Sequence, residues 1–326
     1  MEALRHQLEY YQYSNRPLLG SFSACSNVSG IHSDTRALAP LLHHYGGFAC
    51  FDFATRPMIN CMNNGPYVEI DMRSGAIDGY DAVFLSPHKF LEGPGSPGIL
   101  LMNKALYRLK SSPPSTCGGG PFIIKFQDTL YVEDIEERED AGTPQILNKI
   151  RAALAFRMKD YISYKFIETQ EHNYLIKAVE RLIPNPNILV LGNISTERQA
   201  ILSFLVYTTT HSTSNTKLLN DLFGIQARGG YACAGPYGHS LLNVDETRSL
   251  AYRSAIKMGY NGVKPGWTRV SFSYYMSNEE FEFILAALEF TAIYGQRFLT
   301  LYHMNWKTDA WTLRREAFKE LKMLEN

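Results

Sequence analysis

The hydrophobic and polar positions in the first third of the chain form short apolar runs that end abruptly in polar residues. Residues 48–51 form one such run and stop at Asp52, and residues 82–85 form another and stop at Ser86. A third apolar run covers residues 99–102. Apolar runs of about four to eight residues bounded by turn residues are typical of buried β-strands. Each run therefore predicts a strand.

Before the first of these runs, the hydrophobic positions follow a helical period. Apolar residues recur there at the spacing i, i+3, i+4 and i+7, which predicts one face of a helix; they are Leu38, Leu41, Leu42 and Tyr45. Pro40 lies inside this pattern and favours a kink or a late start of the helix, because proline has no backbone N–H to donate.

The order of the elements predicts the topology of the sheet. A helix over residues 2–13 and a small-residue strand over residues 21–26 come first, so strands and helices alternate. Alternation of this kind indicates an α/β fold with a parallel sheet. Asp52 and Lys89 then lie at the sheet edge where such folds bind ligands. Each also has a structural interpretation, Asp52 as a solvated strand end and Lys89 as a solvated lysine in a hairpin loop.

The second half of the chain predicts a smaller domain of a different kind. Residues 146–183 have a mostly helical pattern, and a proline-containing segment follows it. This segment predicts a domain boundary that separates residues 1–183 from residues 184–326. Strands are predicted over residues 188–191, 200–207 and 268–272, with a helix over residues 215–223 and a second helix opened by the capping-box pattern of residues 277–280. The sequence therefore predicts an α+β domain here.

Two short segments carry further candidate chemistry. Gly142 and Thr143 precede a helix, where backbone amides favour phosphate, although Thr143 capping its own helix is an alternative. Cys233 lies in a glycine-rich turn five residues after Arg228, a cation that favours the reactive thiolate. The alternative for Cys233 is a small apolar residue in a tight turn. Arg269 lies within a predicted strand. A partly buried arginine there is expected to pair with a carboxylate, either of the protein or of a substrate.

Composition narrows the class of protein. The 326 residues hold 32 Lys plus Arg and 32 Asp plus Glu, so the formal charge is zero and no electrostatic signature of nucleic-acid or membrane binding is present. Five cysteines without CxxC spacing argue against a disulfide framework or a zinc site and indicate a reducing compartment, with the cytoplasm as the default location. The first residues do not have the pattern of a targeting peptide.

These segments together resemble a known pattern. Ser86-x-His88-Lys89 and the glycine-rich loop after it are similar to the cofactor-lysine motif of class V aminotransferases, which are pyridoxal-phosphate enzymes of fold type I. The other pieces follow in the family's order: the segment 27–30, Asp52, the segment 141–144, the loop 228–236, which is similar to the cysteine loop of cysteine desulfurases, and Arg269.

The resemblance implies the fold, the cofactor and the roles at the cofactor. It implies an α/β fold of type I, with an incomplete large domain built on a mixed or parallel sheet and a smaller α+β C-terminal domain, and it implies pyridoxal 5'-phosphate as cofactor. Lys89 is the implied covalent attachment point and proton carrier, and Asp52 the implied partner of the ring nitrogen. The remaining implied cofactor residues are Asn27, Thr55, Ser86, His88, Gly142 and Thr143, the last two reaching a neighbouring subunit.

The same resemblance implies the chemistry at the substrate. Arg228 and Arg269 are the implied substrate-binding residues, with Arg269 holding the carboxylate of a small amino acid. Cys233 is the implied sulfur acceptor, which makes a cysteine desulfurase the leading hypothesis. The alternatives are a pyridoxal-phosphate lyase or aminotransferase acting on another amino acid, and a truncated, non-catalytic homologue that acts as a binding module. The family also implies a homodimer.

The sequence departs from the family pattern in two ways. A glutamine usually follows the aspartate by three residues, and Thr55 occupies that position here. The resemblance also implies that the chain is truncated at its N-terminus. The part that supplies the main phosphate-binding loop, the residue that stacks on the cofactor ring and several strands is expected to lie before the point where this chain begins.

Overall fold

The computed structural model describes residues 1–55, 72, 75–107, 113–115, 121–125, 128–140, 142–208 and 212–314. The chain forms two compact units. The first consists of Met1–Ala24 and Ser33–Tyr164, and the second of Cys25–His32 and Lys165–Asn326. The predicted domain boundary between residues 183 and 184 stays a prediction.

The first unit is an α/β unit. Its elements are α1 (Glu2–Tyr11), β1 (Leu19–Ser23), α2 (Thr35–His44), β2 (Phe48–Asp52), β3 (Ala82–Leu85), β4 (Ile99–Met102), β5 (Pro121–Lys125), β6 (Asp128–Tyr131), α3 (Ile135–Glu139) and α4 (Ile146–Ile162). The main sheet has the order β1-β2-β3-β4, in which β1, β2 and β3 are parallel and β4 is antiparallel. A mixed sheet of this kind confirms the predicted fold class.

Helix α2 covers one face of this sheet. Gly20 of β1 approaches the helix so closely that an added Cβ would lie 2.5 Å from Leu42 Cδ1. Phe51 and Val83, on the same face, are fully buried. The predicted late start of this helix is wrong, because the Asp34 side chain accepts a hydrogen bond from Ala37 N and caps the helix at Thr35, ahead of the proline.

The second unit is an antiparallel α+β unit. Its elements are α5 (Tyr164–Leu182), β7 (Ile188–Val190), β8 (Ile201–Val206), α6 (Ser212–Phe223), β9 (Arg228–Gly230), α7 (Gly235–Leu241), α8 (Glu246–Lys257), β10 (Trp267–Ser271), α9 (Asn278–Phe298), β11 (Tyr302–Asn305) and β12 (Ala310–Leu313). The sheet order is β7-β8-β10-β9, with antiparallel neighbours throughout.

The core of the second unit joins α5 and α9 to this sheet. Tyr174 of α5 stacks on Phe281 of α9 with ring centroids 4.4 Å apart. Helix α9 begins with the predicted capping box, in which Glu280 N donates to Ser277 Oγ and Ser277 N donates to Glu280 Oε2. The predicted helix start is therefore confirmed.

The segment Cys25–His32 packs in the second unit although its sequence neighbours on both sides belong to the first. Ser203 of β8 donates its hydroxyl hydrogen to the Val28 carbonyl at 2.6 Å. Val28 is fully buried in a cluster with Leu191, Ala232 and Trp267. The segment is therefore held firmly against the second sheet.

Candidate functional site

Lys89 ends a tight turn at the carboxyl end of β3. Pro87–Lys89 forms a single 3-10 turn, in which Lys89 N donates to Ser86 O at 3.0 Å. The chain then folds back so closely that a Cβ on Gly93 would lie 1.9 Å from Pro87 O. Lys89 itself is exposed. The turn therefore presents the lysine amine outward on a backbone fixed by a close glycine contact.

Helix α4 packs against this turn and the loop that follows it. The Phe90 ring packs edge-on against Phe156 at 5.1 Å between centroids, and Lys159 Nζ lies 4.1 Å from the Phe90 ring centroid. Arg151 Nη1 donates to Pro94 O at 2.9 Å. The sequence predicts none of these contacts. Its one signal for them is Phe156, an apolar position in the helical pattern of residues 146–183.

Asp52 lies at the same edge of the same sheet as Lys89. It is the last residue of β2 and pairs in register with Phe84, two residues before Ser86. Asp52 Oδ1 accepts a hydrogen bond from Ala54 N at 2.7 Å, and the residue is exposed. Because β2 and β3 are parallel, the predicted placement of Asp52 and Lys89 at one edge is confirmed.

The other predicted residues of the first unit divide between this edge and the start of α4. Ser86 is half-buried and His88 exposed at the lysine turn, and Thr55 is half-buried three residues beyond Asp52. Gly142, with φ +74°, and Thr143 are exposed ahead of α4. The N-cap of α4 is Gln145, so the alternative in which Thr143 caps its own helix is wrong.

The cysteine loop lies in the second unit. Arg228 opens β9 and pairs in register with Arg269 of β10. Arg228 Nη2 donates to Cys233 Sγ at 3.2 Å, and Cys233 is exposed. Ala232 and Cys233 have φ values of 49° and 66°, in the left-handed region. The apolar-residue alternative is therefore wrong for Cys233, whose thiol faces solvent beside a cation.

Asn27 forms hydrogen bonds both with this loop and with Arg269. Its side-chain Nδ2 donates to Ala232 O at 2.7 Å, and its backbone oxygen accepts a hydrogen bond from Arg269 Nη1 at 2.7 Å. Burial lowers the pKa of Arg269, the cation of Arg228 adds to this, and Cys233 acts in the opposite direction. No carboxylate among the described residues pairs with Arg269.

The other described thiols differ from Cys233. Cys25 is buried, and its Sγ donates a hydrogen bond to Gly30 O at 3.2 Å. Cys50 is also buried, and burial raises the pKa of its thiol, with the charge of Asp81 adding to the effect. Both thiols are therefore enclosed, whereas Cys233 is exposed.

Among the residues that the structure describes, no group of three or more His, Cys, Asp or Glu residues is arranged to hold a metal ion. None of the helices in the same ranges combines the length and apolar character that a membrane crossing requires.

Comparison with known proteins relates the chain to one family. The profile described as "Aminotransferase class-V" matches residues 9–284. A probable cysteine desulfurase 2 of Mycobacterium leprae is 27% identical over 230 residues, which cover 70% of this chain and 51% of that protein. A probable cysteine desulfurase of Vibrio cholerae is 28% identical over 265 residues, covering 81% of this chain and 55% of the relative.

A solved structure shows the same fold. The apo structure of a cysteine desulfurase from Thermococcus onnurineus superposes with a TM-score of 0.67 at 23% identity. The match covers 89% of this chain and 63% of that chain. The chain thus spans about half the length of the curated relatives it matches.

Proposed function

Since the chain belongs to the aminotransferase class-V family, we propose that it acts in the pyridoxal-phosphate-dependent removal of sulfur from cysteine, with Cys233 as the sulfur acceptor. The observation that carries this proposal is the contact between Arg228 Nη2 and the exposed Cys233 Sγ. A neighbouring guanidinium favours the thiolate, which is the nucleophilic form of cysteine. The names of the two bacterial relatives agree with this chemistry.

The donor groups at the edge of the first sheet fit pyridoxal 5'-phosphate. Lys89 offers an amine on a fixed turn, and Asp52 offers an exposed carboxylate at the end of the neighbouring strand. An amine suits the aldehyde of the cofactor, and a carboxylate suits its protonated ring nitrogen. Ser86 and His88 add a hydroxyl and an imidazole for the phosphate. When bound, the cofactor supplies an electron sink that weakens bonds at the substrate Cα and Cβ.

The proposed sulfur transfer balances without another reactant. The substrate C–S bond breaks, and a bond forms between the substrate sulfur and Cys233 Sγ. Cysteine and the protein thiol become alanine and a protein persulfide, so the carbon is reduced and the sulfur oxidised. Arg269 holds the substrate carboxylate in this proposal, because its half-buried guanidinium pairs with a backbone carbonyl and no described carboxylate.

The first test compares two cysteine variants. The purified chain, supplied with pyridoxal phosphate and L-cysteine, is assayed for alanine and sulfide in the presence of a thiol reductant. Cys233→Ala is expected to abolish both products, whereas the buried-thiol control Cys50→Ala is expected to retain them. Sulfide release at the wild-type rate by Cys233→Ala contradicts the desulfurase proposal. Turnover of another amino acid without release of alanine points instead to a lyase or aminotransferase.

A second test addresses cofactor binding alone. Lys89→Ala is expected to remove the visible absorbance band that pyridoxal phosphate develops when it attaches to a lysine. Lys104→Ala, which changes a lysine outside the site, serves as the control and is expected to keep the band. If the folded wild-type chain develops no band, a non-catalytic role is favoured.

We also propose a homodimer in a reducing compartment such as the cytoplasm. Helix α4 supports the proposed homodimer, because one of its faces is apolar and exposed. The residues of this face are Ile146, Leu147, Ile150, Leu154, Met158 and Tyr161. Gly142 and Thr143 lie four and three residues before the first residue of the same helix, which agrees with their proposed reach toward a second subunit. The free thiols of Cys50 and Cys233 support the compartment.

A further inference from the structure

Asn27 acts on the peptide group that joins Ala232 to Cys233. The oxygen that accepts its side-chain hydrogen bond belongs to Ala232, and the same peptide group supplies the backbone nitrogen of Cys233. The 2.7 Å hydrogen bond therefore restricts rotation of the peptide plane directly before the reactive thiol. No motif in the sequence indicated this contact, which joins residues 205 positions apart.

The conformation of the loop requires such a restraint. Ala232 and Cys233 are consecutive residues with Cβ atoms in the left-handed region, at φ 49° and 66°. A non-glycine residue in this region is strained unless the surroundings stabilise it. Because Ala232 is buried and Cys233 exposed, the turn directs the thiol outward, toward Arg228 Nη2.

Asn27 is itself well anchored. Its neighbour Val28 is fully buried, and the Val28 carbonyl accepts a hydrogen bond from Ser203 Oγ at 2.6 Å. The backbone oxygen of Asn27 accepts a hydrogen bond from Arg269 Nη1. One fixed residue therefore holds both the cysteine loop and the arginine proposed to bind the substrate carboxylate.

We propose that Asn27 is a positioning residue for the sulfur acceptor: its side-chain amide holds the Ala232–Cys233 turn so that Cys233 Sγ stays beside Arg228. This inference rests on the proposed role of Cys233 and adds a function of Asn27 in sulfur transfer to its expected place beside the cofactor. Without the amide, the turn relaxes and the thiol leaves the guanidinium. A thiol without a neighbouring cation is less readily in the nucleophilic thiolate form.

The experiment measures the reactivity of the Cys233 thiol in the folded chain without substrate. Iodoacetamide labelling is followed over a range of pH, and the Cys233 peptide is quantified by mass spectrometry. Asn27→Ala is expected to slow labelling near pH 7 about three- to tenfold, the effect of losing one hydrogen bond. The difference is expected to vanish at alkaline pH, where the thiol is ionised in both proteins.

Ser29→Ala is the matched control. Ser29 lies in the same segment, and its hydroxyl hydrogen-bonds to Tyr237 OH at 3.1 Å, away from the Ala232 carbonyl. This variant is expected to label within about twofold of the wild type, because the contact with the cysteine loop remains. Asn27→Asp, which keeps the side-chain size but removes the donor, is expected to slow labelling at least as much as Asn27→Ala and replaces it should the alanine variant not fold.

Three outcomes overturn the inference. These are equal rates for the Asn27 variants and Ser29→Ala, an equal slowing at every pH, and faster labelling of the Asn27 variants. The first shows general loosening of the segment, the second a change in access, and the third a turn that Asn27 does not hold. None of them depends on turnover, so failure here is distinct from failure of Cys233→Ala to abolish sulfur release.

Discussion

Gly93 and Gly98 lie in one loop but differ in the space around them. A Cβ on Gly93 would meet the backbone oxygen of Pro87 at 1.9 Å, whereas a Cβ on Gly98 would lie 3.7 Å from Leu85 O, an ordinary contact. Backbone atoms cannot rotate away as a side chain can. Only the first position therefore requires glycine for the shape of the lysine turn.

Gly93→Ala is expected to lower the free energy of unfolding by about 2 kcal/mol or more, because the loop must move away from the turn. It is also expected to weaken the absorbance band of the lysine-bound cofactor. Gly98→Ala is the control, with an expected change within about 0.5 kcal/mol. Urea titration followed by circular dichroism measures both. Equal stability of the two variants contradicts the steric argument.

The chemistry of single residues was partly predictable from the sequence. Asp52 and Lys89 follow apolar runs, and strand polarity alone places them at one sheet edge. The pairing of Arg228 with Cys233 was suggested by their separation of five residues and is confirmed. The contact from Asn27 to Ala232 could not be predicted, because it depends on the packing of residues that are distant in sequence.

The β11–β12 hairpin is attached to α6 by a partly buried hydrogen bond. Tyr302 OH donates to Asp221 Oδ2 at 2.9 Å, and Lys217 and Asn220 also donate to this carboxylate. Burial alone raises the pKa of Asp221, but the hydrogen bonds from Lys217, Asn220 and Tyr302 and the charge of Lys217 together hold it below its usual range. The pKa of Tyr302 is raised by burial and by Asp221, so its phenol stays protonated and remains a donor.

Because the pKa of Asp221 is lower in the folded state, the carboxylate contributes stability that is fully present above its ordinary value of about 3.9 and is lost as the pH falls below it. Asp221→Asn is expected to reduce the free energy of unfolding by about 1 kcal/mol at pH 7. It is also expected to weaken the decline in stability between neutral pH and about pH 3. Thermal unfolding across this range measures both effects.

Tyr302→Phe separates the hydrogen bond from the charge. It is expected to be less stable than the wild type by about 1 kcal/mol at pH 7. Tyr275→Phe, which changes an exposed tyrosine, is expected to have no effect. An Asp221→Asn variant with the same acid profile as the wild type contradicts the assigned role of this carboxylate.

Most elements were predicted from periodicity, but the orientation of α4 was not. The apolar positions of this helix include Ile150, Leu154 and Phe156. Phe156 packs on the lysine turn, whereas Ile150 and Leu154 are 51% and 54% exposed. A helix with apolar residues on two faces gives a weak periodic signal, so sequence alone does not identify the face that contacts its own unit.

The two compact units carry different parts of the proposed chemistry. The first holds the lysine turn and Asp52, and the second holds Cys233 with Arg228 and Arg269. The sequence predicted an α/β part followed by an α+β part. It did not assign residues 25–32 to the second part, because long-range contacts alone reveal that assignment.

The exposed apolar face of α4 predicts the oligomeric state. The double variant Leu147→Glu, Leu154→Glu places two charges on this face and is expected to convert a dimer to a monomer, because buried unpaired carboxylates are costly. Leu250→Glu, at a residue of α8 that is 52% exposed, is the control and is expected to remain dimeric. Sedimentation velocity measures the mass of each protein. A wild-type monomer, or a dimeric double variant, contradicts the proposed interface.

The placement of Cys25–His32 has a consequence for dividing this molecule. The chain passes from one unit to the other three times, after Ala24, after His32 and after Tyr164. A fragment that starts at Lys165 contains the whole second sheet but lacks Val28, which shares a buried cluster with Trp267 and Ala232. Such a fragment is expected to unfold at lower temperature and to recover when a synthetic peptide of residues 25–32 is added.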